Sequence, residues 1–298
     1  MNFDTICDDI CRAIGDRQQT RLTEVQAVVN MVYLDEMLGA DPMRPWFWLR
    51  YLDDSMKSKI AGTIVSISKA AAAVMVTSAD TYATGDIVSL YSVTGMSEMD
   101  YRTVRLTRTT TSTYTMTDLK GTAIDSSAFV SAATGGTITH RGKVVSNKIR
   151  SVISVNWQGY NGCLDPISER ELEDSTSFWD VNTSRPERYQ HLKYCSAAGV
   201  ESDLLLWFYG ADAAYNMRLW QELSPEPLSA TTDVPLIPAQ FHPAIEAGAI
   251  TRLGENKTQV EAGVVWPQLY QKQVQAMVDY NRMLWAQYEG KRSDLYLL

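Results

Sequence analysis

The chain has 298 residues, 45% of them hydrophobic and 21% charged, with a formal net charge of -8 and an isoelectric point near 5.0. The acidic excess is spread along the sequence and leaves no basic footprint for gripping a phosphate backbone, which argues against specific nucleic-acid binding. No stretch reaches the roughly 18 to 20 apolar residues of a membrane-spanning helix, and a chain of this size can bury roughly three quarters of its extended surface without disulfides or metal.

In chain order, residues 4–14 and 21–38 carry helical periodicity. In the second, Leu22, Val25, Val28, Val29, Val32 and Met37 form one apolar stripe. Gly15 and Gly39 are the expected stops, so a short helical hairpin is predicted. The start MNFDTICDDICRAIGDRQQ has carboxylates where a signal peptide needs an apolar run. The aromatic run Trp46 to Leu52 reads as a buried strand.

None of the ten prolines or eight tryptophans falls between Trp48 and Trp157. Residues 59–140 are instead rich in Thr, Ser, Ala and Val. Short alternating runs there, Ile64 to Ile67, Ile87 to Tyr91 and Tyr114 to Thr117, predict strands of an inserted all-β module. Beyond it, Ile149 to Trp157 alternates as a strand, and Ser168 with Glu171 fits a capping box opening a short acidic helix. Strands are expected at residues 188–196, 204–209 and 215–223, the last two joined as a hairpin through Gly210, Ala211 and Asp212. Pro225, Pro227, Pro235 and Pro238 punctuate a loop before helices at 239–256 and 258–288. Pro267 inside the last predicts a kink or break, costing roughly 3 kcal/mol if forced straight. The expected fold is α+β: a body of residues 1–58 and 141–298, in which N- and C-terminal helices form a bundle with a small antiparallel sheet, plus the β module at 59–140.

Chemistry is sparse. His140, His191 and His242 lack the one-turn partner of a metal-binding helix. Cys7, Cys11, Cys163 and Cys195 show no zinc spacing and read as reduced thiols of a protein made in the cytoplasm. Cys7 and Cys11, four apart, share one helix face as small packing groups. Glu169, Glu171, Glu173 and Asp174 sit around Arg170 and read as a solvated surface, not as glycosidase carboxylates. Trp179, Trp207, Tyr209 and Trp220 suit a core or an interface. No nucleophile elbow, phosphate loop or dinucleotide fingerprint is present. The expectation is no enzyme, no cofactor, no metal and no membrane.

Two regions carry a resemblance. TGDIVSLYSVTGMSEMDYRTVRL at 84–106, with YTMTDLKGTAID at 114–125 and ATGGTI at 133–138, is similar to a small β module of tailed-phage structural proteins, related to one in ubiquitin-activating enzymes. LLLWFYGADAAYNMRLWQE at 204–222 and TTDVPLIPAQFHPAIEAGAITRL at 231–253 resemble the core of phage head-to-tail adaptor proteins, also called neck or connector proteins.

The resemblance implies a structural virion protein in the neck or tail. It would form a homo-oligomeric ring, typically a dodecamer, under the portal protein and link it to tail or nozzle proteins. Genome DNA would pass through its channel without sequence-specific binding. Alternatives are a tail-tip or tail-fibre attachment protein and, behind it, a capsule-degrading enzyme. After Gly290 the chain ends in Leu295, Tyr296, Leu297 and Leu298, an apolar tail with no helix face to pack on. These four are the candidate residues for docking to the portal or a neighbouring subunit.

Overall fold

The computed structural model describes residues 1–16, 20–41, 45–79, 82–145, 149–158, 163–168, 183–195, 201–207, 209–254 and 262–295. They form two compact units, one of Leu52–Glu222 and one of Met1–Tyr51 with Leu223–Leu298.

The strands in chain order are β1 (Arg50–Lys57), β2 (Gly62–Ile67), β3 (Val74–Thr77), β4 (Asp86–Thr94), β5 (Thr103–Arg108), β6 (Thr113–Thr117) and β7 (Gly135–Val145). They continue with β8 (Ile149–Trp157), β9 (Cys163–Pro166), β10 (Thr183–Ser184), β11 (Arg188–Cys195), β12 (Glu201–Trp207), β13 (Gly210–Ala211) and β14 (Asn216–Leu223). Twelve of them share one hydrogen-bonded sheet, ordered β1-β14-β8-β9-β11-β12-β7-β2-β3-β6-β5-β4, while β10 and β13 make a short parallel pair.

Because β4 also pairs with β7, the last six strands close into an antiparallel barrel. Alternation drives the closure. Val104 and Leu106 of β5 and Tyr114 and Met116 of β6 point into one core with Ile64, Met75, Val88, Leu90 and Ile138, while Thr103, Thr113 and Thr115 lie on the other face. β7 joins the barrel to the remaining sheet. On one edge it pairs with β4. On the other it pairs first with β2, at Gly136 to Ile138, and then with β12, at Gly142 to Val145. At that handover a Cβ on Gly142 would fall inside the contact shell of the Leu205 carbonyl oxygen and within 3.1 Å of Leu206 Cα, so the chains can approach only without a side chain there.

A helical bundle with a small antiparallel sheet is therefore not what the chain forms. The protein is mostly β, with four α-helices among the described residues and 31% helix. The six other strands of the large sheet join the barrel through β7 and pack their own core of Met56, Val155, Leu164, Leu205, Trp207, Met217 and Leu219. Nor do 204–209 and 215–223 form a hairpin: β12 pairs with β11 and β7, whereas β14 lies between β1 and β8. The intervening Gly210–Ala211 goes to β10 instead.

In the other unit, α1 (Phe3–Ala13) is capped by Asn2, whose Oδ1 accepts from the Thr5 amide at 2.9 Å. It buries Phe3, Ile6, Cys7, Ile10 and Cys11 on one face. α2 (Leu22–Met31) runs on into π-helical turns at Val32–Met37. The loop of prolines is tied back by Asn30, whose side chain donates to the Leu228 carbonyl at 3.0 Å and accepts from its amide at 2.7 Å. Then come α3 (His242–Gly254), entered through a 3-10 turn at Ala239–Phe241, and α4 (Ala262–Leu295). The expected break at Pro267 does not occur. Pro267 is the sixth residue of α4, past its first turn, and the helix runs through it with the hydrogen bond to the Gly263 carbonyl forfeited. The aromatic run is not one strand either: Phe47–Leu49 is a 3-10 turn feeding β1, with Trp46 and Leu49 buried in the helical core.

Candidate functional site

The four predicted docking residues are only partly placed. α4 runs through Gly290 and ends at Leu295, so the glycine does not break the helix. One helical glycine costs only about 1 kcal/mol relative to alanine, and the neighbours Glu289, Lys291 and Arg292 are good helix formers. The Leu295 side chain and Tyr296, Leu297 and Leu298 lie outside the described residues, as do Glu169, Glu171, Glu173, Asp174 and Trp179.

What α4 itself presents is a helix with two apolar stripes. The inward stripe comprises Trp266, Tyr270, Val274, Met277, Val278 and Asn281, packed on the helical core. Fully buried Asn281 stitches it to the preceding chain. Its Oδ1 accepts from the Phe47 amide at 2.8 Å, and its Nδ2 donates to Asp41 at 3.3 Å and to the Pro45 carbonyl at 3.4 Å. Further along, Trp285 Nε1 donates to the Pro45 carbonyl at 2.9 Å. Phe47, Trp285 and Tyr288 surround the Arg50 guanidinium with ring centroids 5.4, 5.2 and 4.5 Å from its carbon, a cation–π cluster that holds the second half of α4 in place.

The second stripe faces away from that core. At 100° per residue, Val265, Leu269, Ala276 and Met283 fall within a narrow sector nearly opposite Tyr270 and Asn281. Val265 is 63%, Leu269 37% and Met283 46% exposed. Lys272 and Asp279 share the stripe, so it carries one charge of each sign. The spacing was visible in the sequence, but a helix read for its core-facing residues gives no reason to look at the other side.

The histidines hold structure. His140 is fully buried in β7. Its Nδ1 accepts from the Lys59 amide at 2.9 Å, which places the ring proton on Nε2, 3.6 Å from Asp86 Oδ1. His191 Nε2 lies 3.2 Å from Asp203 on the neighbouring strand, and His242 Nε2 donates to the Ile237 carbonyl at 3.0 Å. Burial holds all three imidazoles below their ordinary pKa. Burial also pushes the Cys7 thiol up to about 12, with Cys11 beside it in the same core, so Cys7 stays protonated and inert. Trp207 is buried and donates to the His140 carbonyl at 3.1 Å, while Tyr209 and Trp220 are half-buried. No group of three His, Cys, Asp or Glu among the described residues is placed to hold a metal.

A cavity of about 390 Å³ opens on the barrel, lined by Thr84, Arg105, Thr107, Thr117, Gly121 and Val144 among others. Its residues come from β5, the end of β6, β7 and two turns, so no local sequence signal could have gathered them. No protein-family model matches this chain, and no curated protein is significantly similar to it.

Proposed function

We propose that this protein works by assembly, as a structural component of a tailed-phage virion at the head-to-tail junction. Subunits would form a closed ring that binds the portal protein on one side and tail or nozzle proteins on the other. The observation that carries the reading is the outer stripe of α4. A helix that already commits one face to its core has no folding reason to keep Val265, Leu269, Ala276 and Met283 aligned in water. The stripe extends about 27 Å at 1.5 Å per residue, long enough for a helix-sized contact. Lys272 and Asp279 add one charge of each sign to set the register of a neighbouring surface. A ring of identical subunits needs a patch that mixes apolar side chains with charges, as this one does, and meets a different patch on the next copy. The phage setting rests only on the resemblance read from residues 84–106, 114–125, 133–138, 204–222 and 231–253; no family model or curated protein supplies it.

The test is to mix the full chain with portal rings of the phage that carries its gene and to image the mixture by negative-stain electron microscopy. The expected result is an added ring on the portal, absent with the double variant Val265→Glu, Met283→Glu, whose thermal unfolding stays within a few degrees of wild type. A ring that forms equally well with the double variant would show that the stripe is not the contact. No ring with either protein would remove the adaptor reading.

A further inference from the structure

We infer that the barrel cavity is a binding site for a singly charged, hydroxyl-rich acid, of which a uronic acid is the simplest representative. Among the described residues, Arg105 on β5 is the cation that lines it. Its Nη1 reaches only the Leu119 carbonyl at 3.5 Å and Ser202 Oγ at 3.4 Å, both at the limit of a hydrogen bond. Among the described residues no carboxylate lies within ion-pair distance of it. Partial burial lowers the Arg105 pKa, and the more distant Asp118 only partly offsets that. A half-buried guanidinium without a counter-ion is the state that a bound anion relieves.

The rest of the lining narrows the choice of anion. Among the described residues no group hydrogen-bonds the hydroxyls of Thr107 and Thr117, and Thr84 Oγ1 accepts from the Arg108 amide at 3.0 Å while keeping its own proton to donate. Three hydroxyls and one cation suit a ligand with several hydroxyls and a single negative charge. A nucleotide, bringing two or more charges, would face one cation on a chain of net charge -8. Val144 offers an apolar patch against which one face of a sugar ring can rest. Gly121 keeps the rim open: its φ of +89° favours glycine, and a Cβ there would sit 3.4 Å from Arg105 Nη1. A volume of about 390 Å³ lies near the small end of ligand pockets, the scale of one sugar. This inference does not depend on the assembly reading.

The experiment is a titration of the isotope-labelled full chain with glucuronate, glucose, acetate and inorganic phosphate, followed by amide chemical shifts. Expected are saturable shifts at Thr84, Gly85, Thr107 and Gly121 with glucuronate, and binding of glucose and acetate weaker by about tenfold or more. Arg105→Gln should weaken glucuronate about tenfold. Thr107→Val, at an exposed position that leaves the fold intact, should weaken it a few-fold. A methyl glycoside that binds as tightly as the free acid assigns the site to a terminal sugar of a glycan, and tighter binding of the free acid assigns it to the monomer. Phosphate binding as tightly as glucuronate would overturn the choice of ligand. The absence of any saturable shift, or unchanged affinity in Thr107→Val and in folded Arg105→Gln, would overturn the site.

Discussion

Asn281→Ala tests how α4 is fastened. The substitution strips the acceptor from the Phe47 amide, a 2.8 Å bond, and the donor from two longer contacts to Asp41 and the Pro45 carbonyl at 3.3 and 3.4 Å. Leaving a partly buried amide unsatisfied costs about 1–3 kcal/mol, and each long contact adds about 0.5 kcal/mol, so the expected loss is about 3 kcal/mol. At roughly 3–5 °C per kcal/mol for units of this size, Tm should fall by about 10 °C in a calorimetric scan. Asn281→Asp sharpens the test. It keeps the acceptor for Phe47 but sets a carboxylate against Asp41, and like charges raise a carboxyl pKa. With the folded-state pKa raised, the variant's deficit should be full at neutral pH and shrink as pH falls below about 5. An Asn281→Ala protein within about 0.5 kcal/mol of wild type would refute the reasoning, as would an Asp variant whose deficit ignores pH.

Since burial holds His140, His191 and His242 below their ordinary pKa, the unfolded chain binds more protons below about pH 6.5. Stability should be full above that pH and fall beneath it, by up to about 1.4 kcal/mol per histidine per pH unit, and urea melts of His140→Gln should show the slope reduced by one proton. Gly142→Ala forces a methyl group against the Leu205 carbonyl and should cost about 1–3 kcal/mol in urea denaturation, through a shift of the β7–β12 contact. Truncation after Gly290 should leave Tm nearly unchanged while weakening attachment to portal rings in a pull-down; equal attachment would mark the end of the chain as dispensable.

Local elements were legible where one periodicity dominates. Ile149–Trp157 alternates and is a strand, and α1 follows its apolar positions residue by residue. Pairing was not legible, because partners sit far apart: β7 meets β2, β4 and β12, and nothing within any of these segments names the others. The aromatic run hid its own structure, since β1 begins only at Arg50 and continues through Asp53, Asp54 and Ser55, residues poor in strand propensity. Gly210 and Ala211 read as a hairpin turn but form the short strand β13 beside β10, because glycine and alanine carry little strand propensity and the partner strand is remote in sequence. The terminal apolar residues drew attention as a possible contact, yet the aligned surface residues of α4 are recognisable only once its core face is known.

β7 has a further consequence for how the strand unit opens. Its one edge is divided between barrel strand β2 and sheet strand β12, so neither partner can peel away without exposing half of the same backbone. Local opening there is costly from both directions. The β7 amides along this edge should then exchange with solvent in a single late event, making the barrel wall and the outer sheet one cooperative unit.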